Sequence, residues 1–113
     1  MKNLTLFLNI LILSFFSLAC ETTDSKKEHF IKEIVTKMTL DEKVGQMTQV
    51  DKRMLDNDED IATYFLGSIL SGGGSVPKDN TPKGWVEMVN SYQEQALSTR
   101  LKIPLIYGID AVH

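Results

Sequence analysis

Apolar residues change rhythm several times along this chain. In "MKNLTLFLNILILSFFSLAC" they form one nearly continuous run, Leu4 to Leu18, interrupted by Thr5, Asn9, Ser14 and Ser17. A bilayer-spanning helix needs ~20 mostly apolar residues, and this run is shorter and more polar. With Lys2 before it and the small Ala19 at its end, it predicts an export signal over residues 1–19. Further on the spacing turns helical: Phe30, Ile31, Ile34, Val35 and Met38 recur at intervals of three and four, with Lys32 and Lys37 largely on other faces. "TLDE" then predicts a fresh helix start. Thr39 can accept from the amide of Glu42, and the Glu42 carboxylate can reach back to the amide of Thr39. Leu40, Val44 and Met47 form one apolar stripe on that helix, and Gly45 predicts a close approach of another segment. "MTQV" predicts a short strand leaving it. "DKRMLDNDED" is too charged for a core and predicts a surface loop that enters a short helix with Ile61, Tyr64 and Phe65 inward.

Glycines bound the next apolar run, "LGSIL", which predicts a buried strand over Gly67–Ser71. "SGGGSVPKDN" reads as the loop after it. Thr81 offers an N-cap and Pro82 a first helical residue. Trp85, Met88, Val89, Tyr92, Ala96 and Leu97 then keep one face of a helix to about Ser98, with Arg100 and Lys102 at its negative pole. "IPLIYGID" is the following strand. Strand, helix and strand in this order form a parallel βαβ unit with a right-handed crossover, so the chain is of α/β class.

Composition changes this picture little. The 113 residues are 42% hydrophobic and 24% charged with a formal net charge of −3, as in an ordinary folded domain. Basic residues are scattered, which leaves no electrostatic footprint for nucleic acid. The single cysteine, Cys20, cannot form an internal disulfide. It stands where the apolar run meets the polar "ETTDSKKE", and "FSLAC" resembles the processing site of bacterial lipoprotein signal peptides, with Ser17 at the place usually held by Leu. That resemblance implies lipidation of Cys20 and a membrane anchor. The expected organisation is a signal peptide of lipoprotein type over 1–19, a polar tether over 20–28 and a folded part over 29–113. The alternative is an ordinary cleaved signal with an incidental cysteine.

Candidate chemistry is sparse. The triple glycine is not a phosphate loop, because Pro77 and several polar residues separate Gly74 from the helix start at Thr81, and no Gly-Lys-Ser/Thr follows. The acidic run Asp58, Glu59, Asp60 lacks the alternating oxygen ligands, central glycine and closing glutamate of a calcium loop, so it reads as a solvated helix start. Trp85 and Tyr92 share their face with Met88, Val89 and Ala96, which is the pattern of core packing. His29 lies on a surface helix, and His113 has no role assigned beyond support of its loop. No metal or cofactor is expected. Asp110 is different: it closes an otherwise apolar strand just after Gly108. Binding and catalytic groups of parallel α/β folds project from the carboxyl ends of strands. An ionised carboxylate accepts two hydrogen bonds side by side, which matches neighbouring sugar hydroxyls. By position alone Asp110 could equally cap a turn or pair with a base.

"KMTLDEKVGQMTQV", "LGSILSGGGSVP" and "STRLKIPLIYGIDAVH" together resemble the start of the catalytic barrel of glycoside hydrolase family 3, most closely its β-glucosidase and exo-β-glucanase branch. The last motif differs most from the N-acetylhexosaminidase branch. The resemblance runs from about His29 to the end of the chain and implies the opening segments of a (β/α)8 barrel of TIM type. It implies a retaining β-glycosidase that acts on terminal non-reducing β-D-glucosyl residues of oligosaccharides or glucosides. In the family, the aspartate matched by Asp110 hydrogen-bonds hydroxyls of the terminal sugar, so the resemblance makes Asp110 a substrate-binding residue and not the nucleophile. A retaining glycosidase also needs a nucleophile and an acid/base ~5–5.5 Å apart. Nothing in residues 1–113 matches either, and a full barrel takes ~250 residues. The chain is therefore expected to be the first part of a longer protein and inactive alone. With the leader, this implies an exported protein in the bacterial periplasm or an outer-membrane lipoprotein. Alternative readings are a β-xylosidase-type exo-glycosidase, a surface lipoprotein that binds carbohydrate without cleaving it, and a standalone α/β interaction domain.

Overall fold

The computed structural model describes residues 22–111. The leader 1–19, Cys20 and His113 lie outside the described residues. Two compact units are present, one ending at Lys37 and the other beginning at Met38.

The described part of the first unit is helix α1, Thr22–Lys37. It starts inside the stretch expected to be a polar tether, so that stretch is helical from Thr22 onward. Charges spaced one turn apart favour this: Lys32 pairs with Glu28 at 2.9 Å and Lys37 with Glu33 at 2.6 Å. Phe30, Ile31 and Val35 are exposed, as is His29.

In the second unit, α2 spans Leu40–Gln46 and begins with the expected capping box. Glu42 N donates to Thr39 Oγ1 at 3.2 Å, and Thr39 N donates to the Glu42 carboxylate at 2.8 Å. Strand β1 follows at Gln49–Asp51, then a 3-10 turn at Lys52–Met54 and a one-turn helix α3 at Asp60–Thr63. Strand β2 is Ser68–Gly72, one residue later than its apolar run suggests. Helix α4 runs Pro82–Ser98 with Thr81 as N-cap, and β3 is Ile106–Asp110. The strands form one parallel sheet in the order β1-β2-β3.

Register decides which face each residue serves. Val50, Ile69 and Tyr107 stand side by side, and so do Asp51, Leu70 and Gly108 one position on, pointing the other way. The first row joins Ile61, Leu66, Tyr92, Ala96 and Leu105 in the core between sheet and helices. The opposite face, bare of core residues, carries Gln49, Asp51, Ser68, Leu70, Ile106 and Asp110. Its exposure follows: Ile106 is 72% exposed although it lies in a strand.

Three expectations about inward residues are corrected. Tyr64 is 63% exposed and Phe65 only half-buried, because α3 ends after one turn and Phe65 takes φ +54°, leaving Ile61 and Leu66 to enter the core. What faces α2 here is backbone. A Cβ on Gly45 would lie 2.2 Å from the Tyr64 carbonyl oxygen, so the close approach expected at Gly45 is real. Leu97 is exposed, being rotated ~100° from Ala96. The stripe of Leu40, Val44 and Met47 faces solvent; Leu40 and Val44 line a groove of about 640 Å³ with Met54, Leu55 and Tyr64.

Candidate functional site

The carboxyl ends of the three strands converge on two carboxylates and a glycine loop. Asp51 ends β1, Gly72 ends β2 and Asp110 ends β3, with Gly72 and Asp110 directly paired. The turn after β2 is closed on itself: Gly72 N donates to Ser75 O, and Ser75 N to Gly72 O, both at 2.8 Å. Gly72, Gly73 and Gly74 all have positive φ, +99°, +53° and +99°, a left-handed path that glycine follows at least cost. This turn binds to β3 as well, since Gly73 N donates to Asp110 O at 3.0 Å. It is therefore a folded extension of the sheet. No helix N-terminus is close in sequence to its amides, in keeping with the exclusion of a phosphate loop.

Asp110 lies where its sequence position implies, exposed at the end of β3 and on the bare face. Among the described residues its carboxylate has neither an ion pair nor a side-chain hydrogen bond. Within residues 22–111 it neither pairs with a base nor caps a turn through its side chain. Gly73 stands beside it: a Cβ there would be 2.6 Å from Asp110 Oδ2.

Asp51 is the residue that sequence reasoning passed over. Register puts it on the same bare face, one level below Asp110 and two strands away. Strands ~4.8 Å apart place the two carboxylates ~10 Å or more from each other, too far for a retaining pair. Asp51 is also occupied. Arg53 gives it a backbone N–H at 2.8 Å and two guanidinium bonds at 2.9 Å. These hydrogen bonds, those of the Arg53 side chain foremost, hold the Asp51 carboxyl far below the usual carboxylate range. Such a group stays ionised and anchored. The Asp-x-Arg spacing at a strand end was the available signal, hidden in a segment whose charge density reads as loop. Ser75 Oγ is fully buried with no partner at hydrogen-bonding geometry, yet its proximity adds a smaller contribution favouring the Asp51 carboxylate.

Other residues singled out in the sequence serve the scaffold. Arg100 bonds Glu42 at 2.7 Å, tying the end of α4 to the start of α2. Asp60 accepts from the amides of Asp56 and Asn57, and Asp58 from Ser91 Oγ, so part of the acidic run builds its own turn. The described residues include no group of three or more His, Cys, Asp or Glu side chains able to hold a metal ion. Trp85 is half-buried and Tyr92 buried, and burial pushes the Tyr92 phenol up to about 12. The groove beside α2 is lined by neither Asp51, Asp110 nor the glycine turn, and its walls are largely apolar.

Residues 39–113 match the model of the glycosyl hydrolase family 3 N terminal domain. The chain belongs to glycosyl hydrolase family 3. A lysosomal beta glucosidase of Dictyostelium discoideum is 35% identical over 107 residues, covering 79% of this chain and 13% of that protein. A periplasmic beta-glucosidase of Salmonella typhimurium is 28% identical over 92 residues, covering 80% and 11%. Among solved structures, an exo-1,3/1,4-beta-glucanase from a Pseudoalteromonas species superposes with a TM-score of 0.68 at 32% identity, over 76% of this chain and 11% of that one. The chain thus spans only about a ninth to an eighth of the length of these relatives. The matched region holds both Asp51 and Asp110, the glycine turn and all three strands.

Proposed function

We propose that these residues are the opening strands of the (β/α)8 barrel of a family 3 exo-β-glycosidase, of β-glucosidase or β-glucanase type, and that Asp110 binds hydroxyls of the terminal sugar. The observation that carries this is an exposed carboxylate, without an ion pair or side-chain hydrogen bond among the described residues, at the carboxyl end of β3 on the sheet face bare of core residues. An acceptor-only group placed there suits two adjacent donors of a pyranose ring. The bare face itself, with Ile106 exposed, suits the interior of a barrel whose later strands complete the packing. In a retaining mechanism the nucleophile and acid/base come from those later segments. Asp110 contributes by holding the ring, and hydrogen bonds that tighten as the oxocarbenium-like transition state forms raise kcat as well as affinity. Similarity to two beta-glucosidases and to an exo-1,3/1,4-beta-glucanase supports a β-glucosyl substrate.

Export and lipidation of Cys20 belong to the same reading. A periplasmic relative is in keeping with an exported protein, and the polar, partly helical segment after Cys20 would join an anchor to the folded part.

The deciding test is Asp110→Ala in the full-length enzyme with an aryl β-glucoside. Loss of one or two hydrogen bonds to an ionised acceptor predicts a fall in kcat/KM of roughly 100-fold or more. Kinetics equal to wild type would take Asp110 out of the sugar site.

A further inference from the structure

We infer that Gly73 is a positioning residue for Asp110: the side chain it lacks is the space in which the carboxylate stands. The inference rests on the reading of Asp110 as the sugar-binding group and adds a second residue to it. The three glycines of the turn share positive φ, yet a Cβ meets something different at each. At Gly72 it would lie 2.3 Å from the Asp110 carbonyl oxygen, a collision of backbone with backbone that the paired strands cannot relieve. At Gly74 it would meet nothing within 4 Å. At Gly73 it would lie 2.6 Å from Oδ2, with the Asp110 Cγ at 3.4 Å and Cβ at 3.8 Å. The obstacle there is the far end of a rotatable side chain. A methyl group at position 73 therefore leaves the sheet alone and turns the carboxylate aside.

Gly73 is itself tied to the strand it serves. Its amide donates to the Asp110 main-chain O at 3.0 Å, so the turn and the end of β3 move as one piece. The reciprocal bonds between Gly72 and Ser75 fix the turn from the other end. A carboxylate that accepts two hydroxyls side by side tolerates little rotation, because misplacing one acceptor oxygen weakens both bonds. The vacant Cβ position of Gly73 thus sets which rotation Asp110 keeps.

The experiment compares Gly73→Ala, Gly74→Ala and Asp110→Ala in the full-length enzyme. Gly74→Ala controls for backbone strain, since its φ of +99° suits alanine less than the +53° of Gly73. Both glycine variants should quicken hydrogen exchange in the peptide that covers the turn. Only Gly73→Ala should also lose kcat/KM, by roughly 10- to 100-fold, the range for one impaired hydrogen bond to a charged acceptor. The double variant Gly73→Ala with Asp110→Ala should be no worse than Asp110→Ala alone, because the target of the added methyl is gone. Gly73→Asn puts a Cβ at the same place with a residue that accepts φ near +53°, and should behave like the alanine variant even if the latter folds poorly. An impaired Asp110→Ala beside a Gly73→Asn variant of full activity overturns this inference alone. So does a loss in the double variant equal to the product of the single losses. An Asp110→Ala enzyme with wild-type kinetics overturns the reading of Asp110 and this inference with it.

Discussion

Replacing Gly45 with alanine sets two opposed effects against each other. Gly45 lies inside α2, where alanine is favoured over glycine by about 1 kcal/mol of helix propensity. In this fold its added Cβ would stand 2.2 Å from the Tyr64 carbonyl oxygen, 2.6 Å from that of Phe65 and 2.8 Å from the Phe65 carbonyl carbon. Carbon and carbonyl oxygen normally meet at ~3.3 Å or more, so the overlap is about 1 Å and all of it is against backbone. To relieve it α2 must withdraw, which stretches the bond from Gly67 N to Gly45 O, 2.9 Å long, and the contact of Gln46 Nε2 with Phe65 O at 3.1 Å. Overpacking costs about 1–3 kcal/mol and a weakened buried hydrogen bond about 1 more. After the propensity gain is subtracted, the clash wins by about 1–3 kcal/mol. The contact belongs to one segment of the fold, so the measurement should be local. Hydrogen exchange of peptides covering α2 and residues 64–68 should quicken by roughly 5- to 150-fold in Gly45→Ala. Slower exchange, or none of this change, would mean that helix propensity prevails and that α2 is not pressed against this backbone.

Two further outcomes are expected. The Thr39 amide, and then the Arg100 guanidinium, hold the Glu42 carboxyl below its ordinary value of 4.5. A carboxyl depressed in the folded state stabilises fully above its unfolded value and loses that contribution as pH falls through the folded one. Glu42→Gln should therefore unfold more readily than wild type at neutral pH, and the gap should close as pH falls below 4.5; a gap independent of pH would show that the ionised form is not what matters. For the leader, Cys20→Ser should move the exported protein from the detergent-extracted membrane fraction to the soluble one. A wild-type protein already soluble after export would end the anchor proposal.

Short-range features of this chain follow from its residue order. The capping box of Thr39 and Glu42 and the start of α4 at Thr81 and Pro82 depend on atoms a few residues apart, so their spacing suffices to foresee them. The parallel order of β2 and β3 follows from the helix between them. A closing aspartate at a strand end was legible for the same reason, since strand polarity alone says which end it occupies. Packing settled the rest, because burial and partnership depend on register between segments distant in the chain. It exposed Tyr64 and Leu97, left Leu40, Val44 and Met47 on the surface, and joined Arg100 to Glu42 across 58 positions. It also placed Asp51 on the face of Asp110 and set the bare Cα of Gly73 against that carboxylate. Periodicity says that a residue has an apolar neighbour on its own helix or strand; only the assembled fold says what stands opposite.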